Sequence, residues 1–268
     1  MSPESKKTTR EKAAAARQAA EAEQRKRDRR IRLIGGLGIL VLIGIIFGAV
    51  FYSNAQNQPT EAPTSIVADA KVPTGVYTTG DLAWGLPVNK PDSAKPTLAI
   101  WEDFGCPACK QLESVMGKDI LGLANDGTVN LVWRPTTFIE KNFPRSPNPD
   151  SSTRAASALG CAVEAGKGTE FHTIVFEHTP TGADEGNGWT NDELIQYGKD
   201  AGISGAALDT FSTCVTDKTY TDWANNSYLT FVKDGIGGTP YMTLNGTKIP
   251  EANYQTFDAL KKYIAENS

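Results

Sequence analysis

Histidine and cysteine are scarce in this chain, with two of the first and four of the second among 268 residues. Neither Cys161, Cys214, His172 nor His178 stands in a finger or ribbon spacing relative to Cys106 and Cys109, so no zinc or other metal site is expected. No internal repeat is visible, and the length suits one sizeable domain plus attachments. No nucleic-acid-binding motif is found. Charge is missing altogether from Leu33 to Tyr52, "LIGGLGILVLIGIIFGAVFY".

That uncharged run divides the charge sharply. Residues 1–32 hold 11 Lys and Arg against 5 Asp and Glu. The rest of the chain keeps 16 basic and 26 acidic side chains of the total 27 and 31, a net of −10. An acidic folded part argues against a nucleic-acid partner. A twenty-residue apolar helix spans a bilayer core of ~30 Å. The basic "RKRDRRIR" beside it places the N-terminus in the cytoplasm and the rest outside the cell membrane. "SNA" at 53–55 offers a small-x-small cleavage site after Ala55, but the apolar run exceeds the usual signal-peptide length, so an uncleaved single-pass anchor is the expectation. "EKAAAARQAAEAEQRKR" at 11–27 has helix propensity without an apolar stripe and reads as a solvated basic tail near anionic lipids.

Residues 53–74 are polar and proline-punctuated and read as a linker. Short extended segments follow at "GVYTTG" and "LAWGLPV". "PTLAIWEDF" is an uninterrupted apolar run of the kind a central strand needs. Residues 107–124 read as one helix, "TVNLVWRPT" as a second strand, and "KNFPRSPNPD" as a proline-broken loop. A helical block comes next. Asp150 or Ser151 is the expected cap of a helix ending near Glu164, and "TNDE" at 190–193 is a capping-box pattern. Asn245-Gly246 between β-prone runs signals a hairpin, and an amphipathic helix closes the chain. The order is β, α, β, helices, then ββα, an α/β layer architecture with a helical insertion at about 148–218.

An exported domain lies where disulfides persist, so four cysteines most simply form two pairs. Cys106 and Cys109 are near enough to pair with each other, which leaves Cys161 and Cys214 as a structural crosslink. That bridge would close a loop of roughly 54 residues, worth about 4 kcal/mol in the chain-entropy model. Cys106 has the features of a reactive thiol. A helix starting at Pro107 or Ala108 aims unpaired N–H groups and a positive dipole end at its sulfur, and Pro107 suits the first helical position. Both favour thiolate, the species that attacks and leaves in exchange. Cys109, one turn on, is the resolving thiol. A Cys–His hydrolase built on Cys106 with His172 or His178 is the rival, but "EFHTIVFEH" reads as two surface or capping histidines.

"DFGCPAC" at the end of a strand resembles the active site of the DsbA-type thiol–disulfide oxidoreductases, and "GGTPYMTLNG" resembles their cis-proline loop. The likeness spans residues 75–268 and implies a thioredoxin fold with an inserted helical domain. The anchor and extra cysteine pair are similar to the membrane-tethered members of actinobacteria. The resemblance makes Cys106 the exposed nucleophile and Cys109 its buried partner. It also makes Pro240 a cis-proline, and Thr239 the residue whose backbone pairs with an extended client.

The sequence departs from the family pattern twice. Ala108 stands where many members have histidine, which removes a contribution to thiolate stability. Ile100 stands where a buried acid often moves protons at the resolving thiol. Glu102 and Asp103 are the candidate substitutes, and Asp103 is also placed to cap the active-site helix. The resemblance implies an oxidase that donates the Cys106–Cys109 disulfide to reduced exported proteins. It implies no cofactor, but a membrane reoxidant of the VKOR or DsbB kind. The alternatives are an extracytoplasmic reductase or isomerase, or a tethered, non-catalytic chaperone or binding module.

Overall fold

The structure, a computed structural model, describes residues 64–143, 150–180 and 188–268. The basic tail (1–32), the apolar run (33–52) and the linker as far as residue 63 lie outside the described residues. No helix among the described residues is long and apolar enough to cross a membrane.

The chain runs through β1 (Leu86–Pro87), β2 (Thr97–Glu102), α1 (Pro107–Leu112), a π-helical turn (Glu113–Gly117), α2 (Lys118–Asn125) and β3 (Asn130–Pro135). Helices α3 (Phe138–Asn142), α4 (Ser151–Glu164), α5 (Gly168–Glu177), α6 (Asn191–Asp200), α7 (Gly205–Thr216) and α8 (Thr221–Lys233) follow. The end is β4 (Tyr241–Leu244), β5 (Thr247–Lys248), a 3-10 turn (Glu251–Tyr254) and α9 (Phe257–Asn267).

The strands form one sheet in the order β1-β3-β2-β4-β5. Strand β2 is central. It runs parallel to β3, with Thr97 opposite Asn130 and Glu102 opposite Pro135, and antiparallel to β4, with Leu98 opposite Leu244 and Trp101 opposite Tyr241. A parallel neighbour needs a crossover, and α1, the π turn and α2 supply it. Side chains alternate along β2. Leu98 and Ile100 join Leu112, Met116, Ile120 and Leu123 of the crossover and Leu260 and Ile264 of α9 in one core. Trp101 points the other way and meets Phe231 of α8 edge-on at 5.4 Å. Glu102 is next in the Leu98–Ile100 row, so the strand's alternation turns a carboxyl toward the crossover helices.

A second core gathers the helices. Phe171 and Val175 of α5, Leu194 of α6, Phe211 and Val215 of α7 and Trp223 of α8 surround Ala155, Ala158, Leu159 and Ala162. The small side chains of "AASALGCA" let neighbouring helices approach α4 closely. Cys161 of α4 and Cys214 of α7 are joined, with Cα atoms 5.9 Å apart. The capping box forms: the Glu193 N–H donates to Thr190 Oγ1 at 3.3 Å, and the Thr190 N–H donates to Glu193 Oε2 at 2.8 Å. Asn245 and Gly246 take φ of 50° and 80°, the two left-handed positions a two-residue hairpin turn requires.

Four local expectations fail. "GVYTTG" is no strand; it turns back so that the Tyr77 N–H donates to the Gly85 carbonyl at 3.0 Å, and only Leu86–Pro87 of the next segment pairs. Part of the stretch read as loop after β3 is helical, as α3. Asp150 takes the expected N-cap position of α4, but with φ of 64° it makes no side-chain cap bond; its carboxylate lies 3.8 Å from Lys141 Nζ instead. The helix expected over 107–124 is interrupted by the π turn. A Cβ on Gly117 would collide with the Glu113 carboxylate, so glycine there leaves room for Glu113 to fold inward.

Candidate functional site: the Cys106–Cys109 junction

Cys106 ends the loop leaving β2 and is the N-cap of α1, with φ −87° and ψ 119°, and Pro107 is the first helical residue. The Cys106 N–H donates to the Asp103 carbonyl at 2.9 Å, and its own carbonyl accepts from the Lys110 N–H at 3.0 Å. Its sulfur faces the loop before β4, where the Thr239–Pro240 peptide is cis. The Cys106 thiol donates to the Thr239 carbonyl at 3.4 Å. Cys106 is 1% exposed and Cys109 0%, so both thiols are buried and neither is in a disulfide. The exposed nucleophile expected of Cys106 is therefore corrected. The cis-proline loop covers the sulfur, with the Thr239 carbonyl directly against it.

The two thiols are electrostatically unequal. A hydrogen bond from Cys109 does most to lower the Cys106 pKa. The Thr239 side chain and the backbone N–H groups of Cys109 and Ala108 assist, and against the cost of burial the value falls to about 7. Burial pushes the Cys109 thiol well above the ordinary range, and the neighbouring Cys106 and the Glu102 charge add to that. Ala108 thus acts through its backbone, although its side chain offers the thiolate nothing.

Three ties hold this junction to the helical layer. Ser152 Oγ of α4 donates to Asp103 Oδ1 at 2.6 Å. Thr179 Oγ1, just after α5, donates to the Phe104 carbonyl at 3.0 Å, and Lys110 Nζ of α1 donates to the Thr179 carbonyl at 2.7 Å. Asp103 also accepts the Gly105 N–H at 2.8 Å and the Ile139 N–H at 2.7 Å. Its side chain therefore braces the loop, Ser152 and the start of α3; it does not cap α1, whose N-terminus has no side-chain cap. Burial pushes its pKa up to about 8 in spite of these donors.

Glu102 stands in a different setting. His172 Nε2 lies 3.4 Å from Glu102 Oε2, and His172 Nδ1 lies 3.9 Å from Glu113 Oε2. The imidazole is stacked on Trp133 at 3.7 Å and 7°, with Phe104 and Phe176 against its edges. Burial pushes Glu102 up to about 8, moderated by a hydrogen bond with Glu113 and reinforced by Cys106. Glu113 is also pushed up to about 8 by burial and by Glu102. Burial lowers His172 to about 4, so it is a neutral base. One donor atom from each of the three lies within 4.8 Å of the others. The two ring nitrogens address different carboxyls, the arrangement of a bridging imidazole.

Glu113 itself carries no sequence signal of a site, and His172, expected as a surface or capping residue, is neither. His172 is 2% exposed because α5 packs its "FHTIVF" face onto Trp133. His178 fits the capping reading: it ends α5, and its Nδ1 lies 2.9 Å from the Ile174 carbonyl. The one signal available for Glu113 was the glycine four residues after it on an otherwise helical segment.

A dithiol at a strand-to-helix junction, facing a cis-proline in the loop before the neighbouring strand, defines a thiol–disulfide exchange site on a thioredoxin-type fold. The chain belongs to the thioredoxin family, whose family model, described as Thioredoxin, matches residues 91–266. Its architecture is of the DsbA type. The fold is similar to BdbD from Bacillus subtilis, with a TM-score of 0.55 and 21% identity over 74% of this chain and 98% of that one. It is also similar to reduced DsbA from Mycobacterium tuberculosis, at 0.53 and 24% over 67% and 86% of the two chains. MdbA from Actinomyces oris, described as a thiol-disulfide oxidoreductase, gives 0.53 and 19% over 65% and 82%. At these identities the likeness establishes the fold. A search of curated proteins returned no match.

Proposed function

We propose that this chain is a thiol–disulfide oxidoreductase that introduces disulfides into exported proteins by donating the Cys106–Cys109 disulfide. The observation that carries this reading is the inequality of the two sulfurs. Cys106 lies at a helix start with its pKa lowered to about 7, facing Thr239–Pro240, while Cys109 is held as a thiol well above the ordinary range. A thiolate of low pKa is a good leaving group. A client thiolate attacks Cys106 Sγ of the oxidised enzyme, the S–S bond breaks toward Cys109, and a mixed disulfide forms. The client's second thiolate then attacks its own sulfur in that bond, and Cys106 leaves as the stabilised thiolate.

The dithiol enzyme must be reoxidised, and a quinone-linked membrane protein of the VKOR or DsbB kind is the partner proposed. The uncharged run Leu33–Tyr52 and its basic flank support a single-pass anchor with the catalytic domain outside the cell membrane. The Cys161–Cys214 pair is assigned a structural role. The test is oxidation of a reduced, unfolded secreted protein by the oxidised enzyme. Disulfide formation in the client should require Cys106; undiminished transfer by Cys106→Ser would refute the mechanism.

A further inference from the structure

Three side chains from separate elements converge behind the active-site loop. Glu102 ends β2, Glu113 lies in the π turn and His172 is on α5. Glu102 Oε2 is 3.4 Å from His172 Nε2, and Glu113 Oε2 is 3.9 Å from His172 Nδ1. One donor atom from each residue lies within 4.8 Å of the other two. Both Glu102 oxygens and His172 Nδ1 are buried and have no hydrogen-bond partner. Buried polar atoms ordinarily have partners, so unpartnered atoms on two facing side chains point to a ligand. Among the described residues, no lysine or arginine is in ion-pair contact with either carboxyl. Lys110 Nζ donates to the Thr179 carbonyl. Arg134 spends its terminal nitrogens on the Ala83 carbonyl and toward Asp234, with its plane over the Trp101 ring.

We propose that Glu102, Glu113 and His172 bind one divalent transition-metal ion of the zinc type. The proposal stands apart from the disulfide-exchange reading. Charge is one reason. Two carboxylates and a neutral imidazole are balanced by a doubly charged cation, which no side chain there supplies, and buried charges are paired or coordinate metals. Spacing is another. Ligands about 2.0–2.2 Å from a tetrahedral ion sit about 3.3–3.6 Å apart. The Glu102–His172 separation of 3.4 Å already matches. Glu113 is the looser donor, and Gly117 gives its carboxylate room, since a Cβ on residue 117 would collide with Glu113 Oε2. The π turn is what brings Glu113 round to the group, and such turns inside helices are frequent at functional sites.

The donor set selects the metal. Calcium and magnesium take six or more oxygens, whereas here a nitrogen is one of three protein donors. Beside Glu102 and His172 lies a void of about 10 Å³, walled by Phe104, Trp133, Leu159 and Phe176 and bordered by Arg134. It has room for one water, the fourth ligand of a zinc ion to which protein supplies three. The stack on Trp133 at 3.7 Å fixes the orientation of the imidazole. Bound there, the ion clamps α5 to β2 and to the crossover. The expectation of no metal site rested on cysteine and histidine spacing, which does not register two glutamates and a histidine spread over 70 positions.

The test is equilibrium binding of zinc chloride to the full-length protein, stripped with EDTA and oxidised at Cys106–Cys109 so that no thiolate competes. In the stripped protein both carboxyls are the protonated acids that burial makes them, and zinc displaces their protons. Wild type should take up one equivalent. Glu102→Gln, Glu113→Gln and His172→Ala should each weaken zinc at least about tenfold. His178→Ala, at the exposed histidine, should leave zinc binding unchanged. Thermal unfolding with and without zinc is read for every variant, so one that is merely destabilised still reports binding. A hundredfold excess of zinc over its dissociation constant should raise the wild-type midpoint by about 5 °C. At the same concentration the three ligand variants should shift far less. No uptake by oxidised wild type, or uptake undiminished in all three variants, would overturn the site. Uptake abolished by His178→Ala would overturn it too, as adventitious surface binding. None of these outcomes alters the exchange reading, which Cys106→Ser tests separately.

Discussion

The two cysteine pairs are the same chemical group in two settings. Cys161 and Cys214 bridge α4 and α7, 53 residues apart in sequence, within the apolar helical core. Cys106 and Cys109 share a helix start with aimed N–H groups, a cis-proline loop and buried ionisable side chains. What separates a crosslink from a reactive couple here is inequality between the two sulfurs. Residues 106 and 109 differ in thiolate stability because hydrogen bonds, first from Cys109 and then from Thr239 and the helix-start N–H groups, outweigh burial at Cys106, while at Cys109 burial is reinforced by Cys106 and the Glu102 charge. Burial does not separate the pairs, since Cys106, Cys109 and Cys161 are all buried.

The most severe way to break the comparison is to remove one sulfur of each pair. Cys106→Ser should reduce client oxidation to background, and Cys109→Ser should accumulate a mixed disulfide at Cys106, visible on non-reducing gels. Cys161→Ser should retain exchange but lose about 4 kcal/mol of stability, the chain-entropy value for a loop of this length, read from denaturant unfolding.

A titration sharpens the inequality within the reactive pair. Thiolate absorbance near 240 nm in the reduced protein should rise with a midpoint at about 7, and Cys106→Ser should remove that step. Glu102→Gln probes the cost of the buried acid. A carboxyl held up to about 8 when folded is protonated there while the unfolded chain is ionised above about 4.5, so its burial costs stability that grows from pH 4.5 to 8. The amide should therefore stabilise the fold by on the order of 1–3 kcal/mol at pH 8 and by almost nothing at pH 4. His172 works in the other direction. Its pKa falls to about 4 on folding, so it contributes stability that is complete above about pH 6.5 and is lost as pH falls toward 4. The smallest effect belongs to the helical layer. Thr190→Ala removes the capping box of α6 at a cost of about 1 kcal/mol, with exchange rates unchanged.

What could be read in advance followed local rules. The apolar run at Thr97–Glu102, the Asn245-Gly246 turn, the capping box at Thr190 and the Cys-Pro-x-Cys helix start are each written within a few adjacent residues. Glu113 and His172 were not legible, because their meeting depends on α5 packing against β3 and the π turn, across 59 positions of sequence. Helical periodicity is blind to one extra residue in a turn, so 107–124 read as continuous. Asp103 was ambiguous for a related reason: a cap and a brace use the same carboxylate, and only the positions of Ser152 and Ile139 decide between them.

The reduction potential of the Cys106–Cys109 couple, equilibrated against glutathione, bears most directly on the claim that this couple donates disulfides. A value more oxidising than the glutathione couple, above about −220 mV, is predicted, because stabilising the Cys106 thiolate stabilises the reduced form. A value as reducing as thioredoxin's, about −270 mV or lower, would contradict it and make the protein a reductase.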